Sequence, residues 1–265
     1  MLESGEEKEE SPLLFEVISA YICEKEGVDK RFVIYTIQVR HISGRDDSKP
    51  ATIERRYTDF LNLYNGIKKD YPELMSTVVF PKKVLTGNFD NKLITTRSSS
   101  FEQMLRFVAT EPKLRETRAL LNFLQENEYL KCKELILSNE YSYAASILEN
   151  QFRLLNNVYT DRSPPVLFTL CRLLGCSVAI PGTPTADKWA DLALHRFEGV
   201  SDTDLLELYL PLLHVCIKVW WVKGRDKEAL ERRFLELRRK GMKLNDTLSL
   251  LDAVDSVEKK LYKSE

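Results

Sequence analysis

The sequence predicts an α+β domain, a three-stranded antiparallel meander packed against helices, followed by an all-α helical domain. Three patterns lead to this. Residues 13–57 carry β-branched and aromatic residues in alternation, broken by two polar stretches. From Thr58 the apolar residues recur at helical spacing. Beyond about residue 131 strand signals vanish and amphipathic helices follow one another.

The elements follow in order. Residues 1–12, acidic and without an apolar core, read as a disordered lead-in and not as a secretory signal. LLFEVISAYICE (13–24) is the first strand, with Phe15, Val17 and Tyr21 on one face and Ile18, Ala20 and Ile22 on the other. Charged EKEGVDK reads as a hairpin turn, RFVIYTIQVRHI (31–42) as the second strand, SGRDDSKP as a polar loop and ATIERRY (51–57) as the third strand. In the next segment Phe60, Leu63, Tyr64 and Ile67 share one helix face, with Thr58 or Asp59 as the cap and Pro72 as the stop. FPKKVLTGNFDNKL (80–93) is a loop with exposed-looking apolar residues, and helices are expected over about 94–110 and 114–126.

The second half reads as helices at 133–157, 164–175, 185–197, 202–222 and 225–241, closed by a short one at 247–262. Small residues at the expected crossings (Ala144, Ala145, Ala190, Ala193) suit stacked helix pairs of the tetratricopeptide kind, although the period is irregular. The domain division is therefore 1–12, 13–130 and 131–265.

Composition limits the function classes. The chain has 265 residues, 43% apolar and 30% charged, with a net charge of −1 from 39 basic and 40 acidic residues. A nucleic-acid binder would normally show a basic excess, so any anion site must be local. No apolar run reaches membrane-spanning length. Cys23, Cys132, Cys171, Cys176 and Cys216 form no CxxC pair, which points to a reducing compartment and to neither zinc nor a disulfide framework. With three histidines (His41, His195, His214) and no glycine-rich phosphate loop, GxSxG or HExxH, no metal, cofactor or catalytic residue is expected. A Cys176 nucleophile helped by His195 or His214 is the remaining enzyme reading.

ERRYTDF (54–60) is the stretch that carries chemistry. Arg55 and Arg56 stand where a strand gives way to a helix and so point to opposite faces. One suits support of the fold, with a carboxylate such as Glu54 or Asp59 as partner. The other suits an anion, which a guanidinium meets with a rigid fork of donors.

The meander, RRYTDFLNLY, FPKK with its apolar loop and ITTRSSSFEQML, in that order, resemble a phox-homology (PX) domain over residues 13 to about 130. The helical half resembles the PX-associated B (PXB) domain of a small group of sorting nexins, and the branch of sorting nexins twenty and twenty-one is nearest in length and layout. The resemblance implies a non-enzymatic adaptor that reads phosphatidylinositol 3-phosphate on the cytosolic face of early endosomes. It implies that Arg56 grips the 3-phosphate, Tyr57 packs under the inositol ring, Lys83 meets the 1-phosphate and Arg97 meets the 4- and 5-hydroxyls.

It implies further that Val84, Leu85 and Phe89 dip into the bilayer beside the lysines. Tyr57 as plain core, Arg97 as surface charge and Val84, Leu85 and Phe89 docked under their own domain stay open as alternatives. Ser98, Ser99 and Ser100 read as helix N-caps, with phosphorylation at Ser98 or Ser100 as the sharper alternative. Ser98 stands where many relatives carry a basic residue, which leaves open another phosphoinositide, such as the 4,5-bisphosphate, or a scaffold that reads no lipid. In the helical half, the basic stretch Lys218–Lys240 reads as a solvated face, one of the adjacent Trp220 and Trp221 lies at an edge able to anchor a peptide, and an unidentified protein cargo is the expected partner.

Overall fold

The computed structural model describes residues 13–24, 31–41, 50–182, 185–198, 200, 203–240 and 249–263. The expected lead-in at 1–12, the hairpin turn at 25–30 and the polar loop up to residue 49 lie outside them. The chain divides into two compact units, Met1–Glu126 and Asn127–Glu265.

In the first unit, β1 (Leu13–Glu24), β2 (Arg31–His41) and β3 (Ala51–Arg56) form an antiparallel sheet in the order β1-β2-β3. One face of β2, made of Val33, Tyr35, Ile37 and Val39, is buried. The expected faces of β1 hold only as far as Val17. Val17 pairs with Ile37 and Ser19 with Thr36, so Ile18 is an extra residue. A bulge of one residue moves everything beyond it to the opposite face. Tyr21 therefore leaves the face of Phe15 and Val17, lies opposite Ile34 and donates its hydroxyl to Glu54 Oε1 at 2.8 Å.

Helix α1 (Tyr57–Asp70) follows β3 without a linker. Its cap is Arg56, in extended conformation, and not Thr58 or Asp59. Asp59 contributes from the third helical position, its Oδ2 accepting the Arg56 N–H at 2.7 Å, which satisfies a donor the helix cannot. After a short 3₁₀ turn (Leu74–Thr77) and the Phe80–Asp90 loop comes α2 (Asn91–Thr110), then α3 (Pro112–Arg115) and α4 (Arg118–Leu137).

Phe60 of α1 and Phe101 of α2 stack at 3.8 Å between centroids, and Tyr35 of the sheet meets both rings edge-on. At Gly66 a Cβ would come within 2.9 Å of Ala119 Cβ, so glycine permits this approach of α1 to the start of α4.

The division between the units falls inside α4, so the expected separation near residue 131 has no break in the helix. The break comes later: the segment expected as one helix over 133–157 turns at Asn139, which has a φ of 60°, before α5 (Tyr141–Val158). Asn accepts that left-handed conformation more readily than most residues. Then come α6 (Pro164–Ala179), α7 (Ala186–Phe197), α8 (Thr203–Leu206), α9 (Tyr209–Val222), α10 (Glu228–Arg239) and α11 (Leu250–Lys263). The expected 202–222 helix is split because Pro211 has no N–H for the Glu207 carbonyl and its ring would collide with it.

Consecutive helices pack on one another (α5 on α6, α6 on α7, α7 on α9, α9 on α10), and α11 returns onto α6 and α9. Helix α6 is buried over nearly its whole length. Gly175 does not end it but lies inside, where a Cβ would come within 2.7 Å of Leu251 of α11. The buried Arg172 of α6 reaches Asp255 at 2.7 Å and Glu258 at 2.6 Å on α11. Among the described residues no helix is long and apolar enough to cross a membrane.

Candidate functional site

Strand alternation decides the fates of Arg55 and Arg56. Arg55 lies opposite Tyr35 on the buried face and is 1% exposed. It donates to the Phe123 carbonyl at 2.6 Å and to the Glu54 carbonyl at 2.8 Å, with its guanidinium 5.6 Å from the centre of the Phe123 ring. The expected carboxylate partners are engaged elsewhere: Glu54 holds Tyr21 and Asp59 holds the Arg56 N–H. Arg56 lies opposite Ile34 on the outer face. It is exposed, its guanidinium 5.0 Å from the Phe32 ring.

Tyr57 is the centre of the site. It opens α1 and is half-buried, and its hydroxyl donates to the Pro81 carbonyl at 2.8 Å. That bond brings the Phe80–Asp90 loop, and with it Lys82 and Lys83, to the end of β3. Burial raises the Tyr57 hydroxyl pKa above its ordinary value, against the pull of the Arg97 charge. The hydroxyl therefore stays protonated and continues to donate. Its ring neighbours are Phe80 at 5.7 Å and Phe101 at 6.2 Å.

Arg97 is not a surface charge. It lies in the second turn of α2, is 2% exposed, and its guanidinium sits 4.3 Å from the Tyr57 ring centre. Nη1 donates to Asn88 Oδ1 at 3.2 Å and Nη2 to the Lys82 carbonyl at 3.5 Å. Nε is buried without a partner, as is the hydroxyl of nearby Tyr35. Burial also raises the Tyr35 pKa, with Arg97 again opposing. A buried guanidinium held mainly by uncharged groups is costly unless something else meets its charge.

The loop residues part company. Leu85 is 98% exposed, whereas Val84 and Phe89 are half-buried. The Phe89 ring carries Arg31 at 5.0 Å. Gly87, with a φ of 76°, makes the turn that returns the chain toward Asn88. Lys82 and Lys83 are both exposed.

The serines are not caps. Asp90 is the N-cap of α2, its Oδ1 accepting the Leu93 N–H at 3.1 Å, because the helix starts a turn earlier than its apolar spacing indicates. Ser98 and Ser100 instead donate back to the Ile94 and Thr96 carbonyls, as serines inside helices do.

The structure thus joins Tyr57 and Arg97 by direct contact and brings in Lys83 by way of Pro81, while Arg56, next to Tyr57 in the chain, turns its guanidinium to Phe32. Two residues escaped the sequence reading. Phe32 lies on the Arg56 side of the sheet, a placement that needs the strand register. Asn88 follows the loop glycine, but nothing in sequence alone aims it at Arg97.

In the second unit neither adjacent tryptophan points squarely inward. Trp220 is half-buried with Nε1 unpartnered, and Trp221 is 68% exposed. Much of the basic stretch is paired: Arg225 with Asp187 and Asp191, Lys227 with Glu231, Arg233 with Glu236. A cavity of about 330 Å³ lies between the end of α6, the start of α7 and the end of α9, lined by Val178, Ile180, Val219 and Val222 with Lys218 and Lys223. Cys176 is fully buried and its thiol is pushed up to about 12, so it holds no nucleophilic thiolate. Among the described residues no cluster of His, Cys, Asp and Glu is able to hold a metal ion.

Residues 44–127 match the PX domain family. The chain is 30% identical to sorting nexin-21 of Homo sapiens over 231 residues, 87% of this chain and 60% of that protein. It is 30% identical to sorting nexin-20 of Bos taurus over 225 residues, 84% of this chain and 69% of that protein. The chain thus spans about 60% of the length of the sorting nexin-21 relatives it matches. Among solved structures it is similar to the X-ray structure of a designed CISK-PX domain, at 25% identity with a TM-score of 0.35, covering 42% of this chain and 97% of that one.

Proposed function

Because the chain belongs to the sorting nexin family, in the branch of sorting nexins 20 and 21, we propose that it is a non-enzymatic, peripheral membrane adaptor that reads phosphatidylinositol 3-phosphate on early endosomes. Residues 13–130 act as the lipid-reading PX domain, and residues 131–265 as a PXB domain that holds a protein cargo.

The observation that carries the lipid half is Arg97 held against the Tyr57 ring, with exposed Arg56 next to Tyr57 in the chain and Lys83 on the loop that Tyr57 binds through Pro81. No carboxylate among the described residues neutralises these cations. Arg56 is the exposed fork for a phosphomonoester, and Lys83 is a point charge for the diester phosphate. Arg97, buried against Tyr57 and bonded to Asn88 and the Lys82 carbonyl, offers its remaining donors to ring hydroxyls, where a bulky phosphate would not fit. Leu85 supplies apolar contact with the bilayer. For the helical half, exposed Trp221 and Val222 near the lysine-rimmed cavity support a docked partner. Two weak attachments then reinforce one another through effective concentration.

The test is co-sedimentation with liposomes carrying each phosphoinositide in turn, wild type beside Arg56→Gln, with folding checked by thermal melt. Selective pelleting with the 3-phosphate lipid, lost in the variant, is expected. Pelleting with the 4,5-bisphosphate instead would reassign the ligand. A folded wild type that pellets with none would overturn the lipid reading.

A further inference from the structure

The side chain of Asn88 makes two bonds that face opposite ways. Its Oδ1 accepts from Arg97 Nη1 at 3.2 Å, and its Nδ2 donates to the Val84 carbonyl at 3.2 Å. Arg97 Nη2 reaches the Lys82 carbonyl at 3.5 Å. The loop from Lys82 to Asn88 is therefore gathered onto one guanidinium, and fully exposed Leu85 lies between the gathered ends. Gly87 is what lets Asn88 turn back: its φ of 76° is a conformation that other residues rarely adopt.

A guanidinium has five N–H donors. One on Nη1 and one on Nη2 are spent on the loop, which leaves one on each for another ligand. Holding the loop and meeting a ligand are thus compatible at Arg97. The Arg97 side chain has few other restraints: its Nε has no partner, and the face of Tyr57 restrains it in one direction only. Asn88 sets the rotation of the guanidinium in its own plane.

We propose that Asn88 is a positioning residue that orients Arg97 for the headgroup and folds the Lys82–Asn88 loop onto it, so that headgroup recognition and the bilayer contact of Leu85 are energetically coupled. The proposal rests on the lipid reading above and adds a residue and a linkage to it.

Three measurements on the full chain test this, with wild type, Asn88→Ala, Leu85→Ala and the double variant. Hydrogen exchange over residues 82–90 reports the loop without any ligand, and the sheet peptides report folding. Calorimetry with soluble inositol 1,3-bisphosphate reports Arg97 without a bilayer. Vesicles of phosphatidylcholine with phosphatidylinositol 3-phosphate report both.

In Asn88→Ala, exchange in 82–90 is expected to quicken while the sheet is unchanged, and headgroup affinity to fall roughly tenfold, as for loss of a hydrogen bond to a charged group. Leu85→Ala should leave headgroup affinity unchanged and weaken vesicle binding. Its cost should shrink when Asn88 is already alanine, because an unfolded loop no longer presents Leu85; the loss of soluble-headgroup affinity is what a role confined to holding the loop would not give.

If wild type binds headgroup and Asn88→Ala matches it within twofold, or if the two substitutions are additive on vesicles, the coupling is overturned while the lipid reading stands. If wild type binds no headgroup and no vesicle, the lipid reading falls and the proposal falls with it.

Discussion

The Arg97 guanidinium lies 4.3 Å from the centre of the Tyr57 ring, although the two residues are forty positions apart and on different helices. This contact joins the end of the sheet, the start of α1, α2 and, through Pro81, Lys82 and Asn88, the loop between those helices.

Arg55 and Arg56 should separate stability from binding. Arg55→Gln strands the Phe123 carbonyl in a buried site, which costs about 1–3 kcal/mol for an unsatisfied group, and also loses the half-buried bond to the Glu54 carbonyl. A lower melting temperature is expected. Arg56→Gln leaves the backbone bond to Asp59 intact, so its melt should match wild type while lipid binding falls. Equal melts for the two variants would contradict the assignment of faces.

Gly66→Ala should destabilise the first unit even though alanine is the better helix former by about 1 kcal/mol. The new Cβ would lie 2.9 Å from Ala119 Cβ, a group with no rotamer to change. Overpacking of this kind commonly costs about 1–3 kcal/mol. The double variant Gly66→Ala, Ala119→Gly should recover the part lost to the clash, as read by urea midpoint.

Alkaline pH should weaken the second unit. Burial pushes the thiols of Cys132, Cys171 and Cys176 from 9.0 to about 12, and the Tyr129 hydroxyl from 10.0 to about 12. A raised folded pKa means that the native state prefers the protonated group. Its contribution is complete below the ordinary value and is lost as pH climbs toward the folded one. The urea midpoint should therefore fall between about pH 9 and pH 12. In native protein at pH 8 a thiol reagent should react promptly with half-buried Cys23 alone, and with all five cysteines in denaturant.

A negative charge at Ser98 should oppose ligand binding. Ser98 adjoins Arg97, and its hydroxyl is turned back on the Ile94 carbonyl. Ser98→Asp removes that bond and places a carboxylate one residue from the buried guanidinium. Weaker binding of 3-phosphate vesicles with an unchanged melt is expected.

The strand-to-helix junction of this candidate site was legible before the fold was known, for one physical reason. A strand that ends in two arginines must send them to opposite faces, and the tyrosine after them opens a helix. Lys83 and Arg97 are marked in the sequence only by the resemblance to a PX domain, since no periodicity or spacing sets them apart. What misled was also local. The bulge at Ile18 is an extra residue with no composition of its own, so the face of Tyr21 could be fixed only by pairing with β2. The serine run looks like a cap, but Asp90 had already supplied one. The turn at Asn139 interrupts a segment whose apolar spacing runs on across it.

By itself the sequence determined the two-part organisation and the strand-to-helix junction with its paired arginines. These follow from periodicity and from side-chain chemistry, which act over a few residues. Tertiary structure alone decided that Arg97 is buried against Tyr57, that Asn88 ties it to the loop, and that Leu85 projects while Phe89 lies under Arg31. Each of these joins elements distant along the chain, and only the packing of sheet and helices sets the distances between them.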